Sequence, residues 1–168
     1  MNEWKWINGY EGYYKIYKNG DVESYKGKKS KLLKVSLTRG YKSLKLCKNG
    51  QRKNFYIHRL IAIHFIPNPN KFKYIDHIDR NPLNNNITNL RWITNGLNVM
   101  NTNNNGKYMK GVKFDKRRNT FEAKITLNYK TKYLGSYKSE IEAHEAYIKE
   151  YNKIFHNFTS SSSCSSLL

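Results

Sequence analysis

Two Asn-Gly steps, at positions 19–20 and 49–50, each separate two short runs of β-prone residues. Asparagine and glycine both tolerate a positive φ angle, which the tight turn of a two-residue β-hairpin requires. The first 70 residues are therefore expected to be rich in β-structure. We predict two hairpins there, built from the runs Tyr13–Lys18 with Asp21–Ser24 and Tyr41–Cys47 with Arg52–Ile57.

Helical signals are confined to a few later places. The apolar run His58–Phe65 predicts a short buried helix, which Pro67 and Pro69 end. Ser139 and Glu142 have the spacing of a capping box at the start of a last helix. Thr94 is a further candidate helix N-cap.

Several strand-like runs lie between the two helices. They are Tyr74–Ile75, Leu90–Ile93, Gly111–Phe114, Thr120–Leu127 and Thr131–Gly135.

The charge of the chain is strongly positive. Lys and Arg number 31 against 12 Asp and Glu, a formal net charge of +19. Such a surplus predicts a polyanionic partner, and nucleic acid is the usual one. The alternatives are a basic protein that is merely soluble and one that binds an acidic membrane. The basic residues are spread over Tyr-rich, strand-like stretches, whereas amphipathic membrane helices carry them on one helix face.

Three classes of protein are disfavoured. No apolar run approaches the roughly 18 residues that span a bilayer, and the first residues lack the apolar core of a signal peptide. Cys47 and Cys164 are the only cysteines, which excludes a four-cysteine zinc site and argues against a disulfide framework. We expect a protein of the reducing cytoplasm, in a bacterial or virus-infected host cell, with no membrane contact.

One polar cluster carries the chemistry of phosphodiester cleavage. That reaction needs a nucleophilic water, a base for its proton and positive charge near the developing oxyanions. Asp76 and Asn98 offer hard oxygen ligands, which suit Mg²⁺ or Mn²⁺ better than zinc. Histidine has an ordinary pKa of ~6.5, so His77 is a residue type suited to a general base near neutrality.

This cluster resembles the HNH nucleases, whose site is a hairpin and a helix around a metal. The match consists of Asp76-His77, Asn81-Pro82-Leu83-Asn84-Asn85, Asn89-Leu90, and Thr94 to Asn98. The third family position is often His and here is Asn98, as in intron-encoded homing endonucleases of phages. The resemblance implies that Asp76 and Asn98 bind the metal, that His77 activates water, and that Asn89 ties down the loop and orients His77.

The same residues also have a structural interpretation. Asn-rich segments are often loops, because asparagine adopts turns and positive φ readily. We interpret Asp79, Arg80 and Asn84–Asn86 as loop residues, and Arg91 as a phosphate contact or an exposed strand residue. His58 and His64 are interpreted as packing or capping residues, with DNA contact as an alternative for His58. His144 and His156 are expected to be exposed.

The C-terminal part resembles the plant ethylene-response-factor DNA-binding domains, in which a three-stranded sheet enters the major groove with one helix behind it. The resemblance rests on the segments 110–118, 121–125, 133–137 and 142–147. Outward positions that are mostly Arg and Trp in the plant domains are here often Lys, Thr and Tyr, which favours phosphate contacts over base contacts. The expected DNA-facing residues are Lys110, Lys113, Lys116, Arg117, Arg118, Lys124, Thr126 and Tyr133, although residues 116–118 also fit a solvated basic turn.

The N-terminal run resembles a module found ahead of the nuclease unit in homing enzymes. Its residues are Trp4, Ile7 and Gly9-Tyr10-Glu11-Gly12 in a slightly compressed spacing. We expect Trp4 and Tyr10 to lie in the core. The lysines interpreted as phosphate contacts, or alternatively as a solvated basic loop, are Lys26, Lys28, Lys29 and Lys31.

The expected fold is modular α+β. It comprises an N-terminal β-rich DNA-binding module (1–70), an HNH nuclease unit with a ββα-metal fold (71–101), a linker (102–107), a C-terminal sheet packed on one helix (108–158) and a disordered Ser-rich tail (159–168). The expected function is a metal-dependent homing endonuclease that nicks double-stranded DNA as a monomer. The rivals are a non-catalytic DNA-binding regulator that retains the nuclease scaffold and an RNA-binding basic protein.

Overall fold

The structure is a computed structural model that describes residues 3–102, 104 and 106–163, without the side chains of 159–163. The chain divides into two compact units, residues 1–93 and 94–168. Among the described residues, no helix has the length and apolar character needed to cross a membrane. The first unit contains β1 (Trp4–Trp6), β2 (Tyr14–Tyr17), β3 (Val22–Ser24), β4 (Lys31–Leu32), β5 (Ser36–Thr38), β6 (Tyr41–Lys48), β7 (Gln51–Tyr56), α1 (Ile57–Phe65), β8 (Tyr74–His77), a 3-10 turn (Ile87–Asn89) and β9 (Leu90–Ile93).

The two predicted hairpins are confirmed. Strands β2 and β3 pair antiparallel with Ile16 opposite Val22, and β6 pairs with β7. At the second turn both Asn49 and Gly50 have positive φ angles, 52° and 75°. The first unit thus holds a sheet of order β1-β2-β3-β4, a sheet of order β5-β6-β7 and the two-stranded hairpin β8-β9.

One hydrophobic core joins these three sheets. It contains Ile16 of β2, Leu46 of β6, Ile61 of α1 and Leu90 of β9. The predicted segments 1–70 and 71–101 therefore do not pack separately, because apolar side chains from both are buried together. The structure instead ends the first unit at Ile93, and the functional assignments of the five predicted segments remain predictions.

Trp4 differs from expectation. It is 43% exposed, whereas we expected it in the core. The ammonium of Lys15 lies 3.7 Å from the centroid of its ring and 4.9 Å from that of Trp6. Because an aromatic face attracts a cation, the two tryptophans hold a lysine at the surface. Tyr10 does pack against the core, as expected.

The second unit contains α2 (Asn95–Met100), β10 (Val112–Asp115), β11 (Thr120–Leu127), β12 (Lys130–Tyr137) and α3 (Glu140–Ser163). The three strands form an antiparallel sheet of order β10-β11-β12, and α3 packs on it with Ala143 and Tyr147 buried. The capping box is confirmed, since Glu142 N donates to Ser139 Oγ (3.2 Å) and Ser139 N to Glu142 Oε2 (3.4 Å).

Glycine is required where β10 begins. Gly111 has a φ of +81°, and a Cβ built there would lie 2.0 Å from Cδ2 of Tyr147. Tyr147 therefore packs directly against the backbone, which brings α3 close to the first strand of the sheet.

The first part of the predicted disordered tail, residues 159–168, is helical. Helix α3 continues to Ser163 and so includes residues 159–163. Serine has only a modest helix penalty, and here the helix continues through the first residues of the Ser-rich run. Residues 164–168 lie outside the described residues, as do 103 and 105 of the predicted linker.

Candidate active site

The hairpin β8-β9 carries the central residues of the predicted site. Its antiparallel register places Asp76 opposite Arg91 and His77 opposite Leu90. Asp76 and His77 are both buried, with 6% and 7% of their surfaces exposed. Their burial follows from the position of the hairpin, whose residue Leu90 belongs to the core of the first unit.

Asp76 is paired with Arg91. The guanidinium Nη2 lies 2.7 Å from Asp76 Oδ2, and Arg91 Nε donates to the same oxygen at 2.8 Å. A carboxylate this deeply buried requires a compensating charge. Arg91 is therefore not the exposed strand residue that was one of its two interpretations, because it is a half-buried partner of the predicted metal ligand. Its contact with phosphate remains a prediction.

The ring of His77 is held by an asparagine. His77 Nε2 lies 3.0 Å from Asn85 Oδ1, and both residues are buried. The sequence predicted a loop role for Asn85, but its side chain also contacts the ring of His77, the predicted base. An amide oxygen accepts hydrogen bonds, so in this arrangement the ring nitrogen that faces it carries the hydrogen.

The loop between β8 and β9 is built from side chain to backbone hydrogen bonds. Asp79 Oδ1 accepts from Asn81 N (2.8 Å), and Asn86 Oδ1 accepts from Thr88 N (3.1 Å). These local turns confirm the structural interpretation of Asp79 and Asn86, because such short polar side chains replace backbone turns. The hydrogen bond from the Asn81 backbone, followed by one from the Asn84 side chain, lowers the pKa of Asp79.

Asn89 lies at the base of this loop. Its Oδ1 accepts from Asp79 N (3.0 Å), while its Nδ2 donates to Asp79 Oδ1 (2.9 Å) and to Asn84 O (2.8 Å). The side chain is buried, and all three contacts are with loop residues. They agree with the expectation that Asn89 ties down the loop.

A second histidine lies beside His77. The rings of His58 and His77 are 5.1 Å apart at 61°, and Tyr41 is within 6.0 Å of both. Burial, with smaller contributions from the charges of His77 and Arg59, lowers the pKa of His58 to about 4. The sequence indicated a packing or capping role for His58, with DNA contact as an alternative, and no local signal indicated that it adjoins the predicted base.

Asn98 lies on α2 and belongs to the second unit, where it is half-buried. Thr94 caps this helix by accepting from Leu97 N (3.4 Å), as predicted. The role of Asn98 as a metal ligand remains a prediction.

The donor set of the site fits a hard divalent ion. Among the described residues, no three His, Cys, Asp or Glu side chains are grouped as a metal site. Magnesium is usually held by one or two carboxylates together with water and substrate phosphate oxygens, whereas zinc requires three or four protein ligands. Asp76, a buried carboxylate, therefore suits magnesium better than zinc.

Four lysines of the first unit that were interpreted as phosphate contacts are exposed. Lys26, Lys28 and Lys29 are exposed in the loop between β3 and β4, and Lys31 is exposed on β4. Lys26 also donates from Nζ to Cys47 O at 3.0 Å. Their exposure is compatible with both interpretations, phosphate contact and a solvated loop.

The outward face of the second unit's sheet is assembled largely as predicted. Lys124 lies opposite Tyr133, and Thr126 lies opposite Thr131 with their hydroxyls 2.9 Å apart. Lys113, on the neighbouring strand, lies opposite Glu122. Glu122 accepts a hydrogen bond from Lys124 Nζ at 2.7 Å. The carboxylate offsets part of the positive charge of this face.

Surroundings were also predicted for Lys110, His144 and His156. Lys110 donates from Nζ to the carbonyls of Met100 and Thr102, an internal role at the end of α2, where unpaired carbonyls attract a cation. His144 is half-buried and its Nδ1 lies 2.9 Å from Lys110 O, so the expectation that it is exposed was wrong. His156 is exposed, as expected.

The turn residues Lys116, Arg117 and Arg118 are exposed.

Comparison with known families and proteins finds a match in the part of the chain that contains β8 and β9. Residues 55–100 match the model of the HNH endonuclease family. The match begins before the predicted nuclease segment and includes α1 with His58. It covers a minority of the chain, and none of the second unit's sheet.

Two curated proteins are similar to this chain. The DNA endonuclease I-HmuI of Bacillus phage SP01 is 45% identical over 100 residues, which cover 59% of this chain and 56% of that protein. An uncharacterized HNH endonuclease, L245, of Acanthamoeba polyphaga mimivirus is 41% identical over 107 residues, which cover 58% of this chain and 32% of that protein. The chain thus spans about half of the first relative and about a third of the second.

One solved structure is also similar. Its subject is DNA binding and cleavage by the HNH homing endonuclease I-HmuI. It matches this chain with a TM-score of 0.54 at 45% identity. The match covers 59% of this chain and 56% of that one.

Proposed function

We propose that this chain is a metal-dependent DNA endonuclease of the HNH type, a homing enzyme that acts in the cytoplasm of a bacterial or virus-infected host cell. The observation that carries the proposal is the buried Asp76-His77 step on β8, in a segment that matches the HNH endonuclease family. The described part of the chain holds one such site, so as a monomer it nicks one strand of double-stranded DNA.

The residues of the site divide the chemistry among them. Asp76 would hold a Mg²⁺ or Mn²⁺ ion, and Asn98 keeps the ligand role that the family resemblance implies. The ion would supply positive charge beside the cleaved phosphate. His77 accepts the proton of the attacking water. Asn89 acts indirectly by holding the loop that joins the two strands of the hairpin, through its bonds to Asp79 and Asn84.

Two further residues support this arrangement. Asn85 orients the ring of His77 through the contact at Nε2. Arg91 neutralises Asp76. A cation bound at Asp76 would supply the same compensation, and the planar, fully charged guanidinium of Arg91 is well suited to bind a phosphate.

DNA is held by basic and polar side chains of both units in this proposal. In the first unit these are the exposed lysines at 26, 28, 29 and 31. In the second unit they are Lys113, Lys124, Thr126 and Tyr133 on the sheet and the exposed residues 116–118 in the turn. Phosphate contacts of this kind supply affinity and position without reading sequence.

A plasmid-nicking assay with and without Mg²⁺ tests the function. We expect the parent to convert supercoiled plasmid to the open circle when Mg²⁺ is present. Asp76→Ala and His77→Ala are expected to lower the rate by about 10²-fold or more, while His156→Ala, at an exposed histidine on α3, keeps the parental rate. Plasmid binding without nicking at any Mg²⁺ concentration would support the non-catalytic regulator instead.

Homing is tested by mapping cut positions on the DNA that flanks the gene of this chain. A homing enzyme cuts the allele that lacks its own gene. Equal cutting of that allele and of unrelated DNA would refute the homing assignment and leave the nuclease assignment intact.

A further inference from the structure

Helix α1 carries two buried histidines with different surroundings. His64 has both ring nitrogens hydrogen-bonded, with Nδ1 2.7 Å from Leu60 O and Nε2 accepting from Asn8 N at 3.0 Å. It joins the helix to the N-terminal segment and has the contacts of a structural residue.

His58 is 8% exposed, and its Nδ1 is buried without a hydrogen-bond partner. A buried polar atom left unpaired destabilises the folded state. A phenylalanine or leucine at this position would fill the space without that cost. An orphaned nitrogen therefore points to a use outside the folding of the unit.

The surroundings of His58 indicate that use. Its ring lies 5.1 Å from that of His77 and 5.1 Å from that of Tyr41, and Tyr56 follows at 5.7 Å. His58 thus forms one wall of the space that holds His77. Burial lowers the pKa of His58 to about 4, so its ring is uncharged near neutrality.

We propose that His58 is a positioning residue for His77, and that its Nδ1 makes a hydrogen bond that forms when DNA enters the site. The inference rests on the proposed endonuclease function. The ring of His58 limits the orientations of the His77 imidazole, and Asn85 limits them through its contact with His77 Nε2. Hydrogen bonds at catalytic sites often form or tighten only in the substrate complex, which accounts for the unpaired nitrogen here.

Three substitutions of the full chain separate shape from polarity. His58→Phe keeps an aromatic ring and removes both nitrogens, His58→Asn keeps a polar atom near Nδ1, and His58→Gln places one nearer Nε2. We expect His58→Phe to lower kcat for nicking by about 10- to 100-fold, as small misplacements of catalytic groups do. His58→Asn should retain more of kcat than His58→Gln, and DNA affinity measured in EDTA should stay at the parental value in all three.

His64→Asn and His64→Phe are the matched controls, because they alter the other buried histidine of the same helix. They are expected to lower the Tm and leave kcat per folded molecule unchanged. A parental kcat for His58→Phe overturns the proposal. If that variant does not fold, equal kcat values for His58→Asn and His58→Gln overturn it.

A second measurement does not depend on cutting. In ¹H–¹⁵N spectra of the histidine rings, His58→Phe should shift the signals of His77 and leave those of His156 in place. Unchanged His77 signals refute the positioning role even if the parent nicks DNA. Shifted signals in a chain that does not nick support the contact while the proposed function fails.

Discussion

The Nε2 atom of His77 lies 3.0 Å from Oδ1 of Asn85, and both side chains are buried. A histidine that moves a proton must present one ring nitrogen to the substrate while the other is held. Asn85 thus holds one ring nitrogen of the proposed base, although it lies in a run of three asparagines that otherwise shape a loop.

The contact predicts the outcome of Asn85→Ala. Loss of the amide leaves the His77 ring less constrained, so kcat for nicking should fall by about 10-fold or more, while DNA affinity stays unchanged. Asn86→Ala is the control, since Asn86 bonds Thr88 in the same loop and is exposed. Equal losses in the two variants would mean that the loop as a whole, and not the contact with His77, determines the rate.

The ion pair between Arg91 and Asp76 makes a prediction for stability. Arg91→Ala leaves a buried carboxylate unpaired, and the free energy of unfolding should fall by about 2 kcal/mol, less than for a fully buried pair because Arg91 is partly exposed. Urea unfolding measures the loss, and Arg91→Ala combined with Asp76→Asn should lose less than the sum of the two single changes.

The same variant tests the metal assignment. A divalent ion at Asp76 restores the missing charge, so Mg²⁺ should raise the Tm of Arg91→Ala more than that of the parent. The extra increase should disappear when Asp76→Asn is added. An equal Mg²⁺ response of all three proteins would place the ion elsewhere.

The low pKa of His58 predicts a loss of stability in acid. The folded state holds His58 at a pKa of about 4, below its ordinary value of 6.5, so the unfolded state binds the proton more readily. The contribution is fully present above pH 6.5 and is lost as the pH falls towards 4, by at most about 3 kcal/mol. The difference in unfolding free energy between the parent and His58→Phe should therefore change across this window, and a constant difference contradicts it.

The lysines around β4 predict the salt dependence of DNA binding. Replacing the exposed lysines at 26, 28, 29 and 31 with alanine should reduce the slope of log K against log salt by ~0.9 for each phosphate that is no longer neutralised. The control replaces Lys149 and Lys153, which are exposed on the acid-rich helix α3, and should leave the slope unchanged. A parental slope for the fourfold variant supports the interpretation of a solvated loop.

Local features of the fold could be predicted because each depends on neighbouring residues. The turn at Asn49-Gly50, helix α1 and the capping box of Ser139 and Glu142 all formed as expected. Each rests on backbone preferences and hydrogen bonds within a few positions. The spacing from Asp76 to Asn98 similarly indicated the nuclease segment that the family match includes.

The contacts around the candidate site could not be predicted in the same way. Nothing local distinguishes Asn85, which holds His77, from Asn86, which shapes a turn. His58 and His64 sit on one helix, and only packing brings the ring of His58 to His77. Trp4 illustrates the same limit at the surface, since its exposure depends on the strand that places Lys15 over its ring.

The sequence by itself determined the elements, the positive charge and the residue types of the site, because these follow from local preferences and from chemistry. The tertiary structure decided which polar side chains are buried together. Burying a charge or a polar atom is costly unless a partner compensates for it. Asp76 therefore pairs with Arg91, and His77 with Asn85. These pairs form only in the folded core, so they could not be identified from the sequence alone.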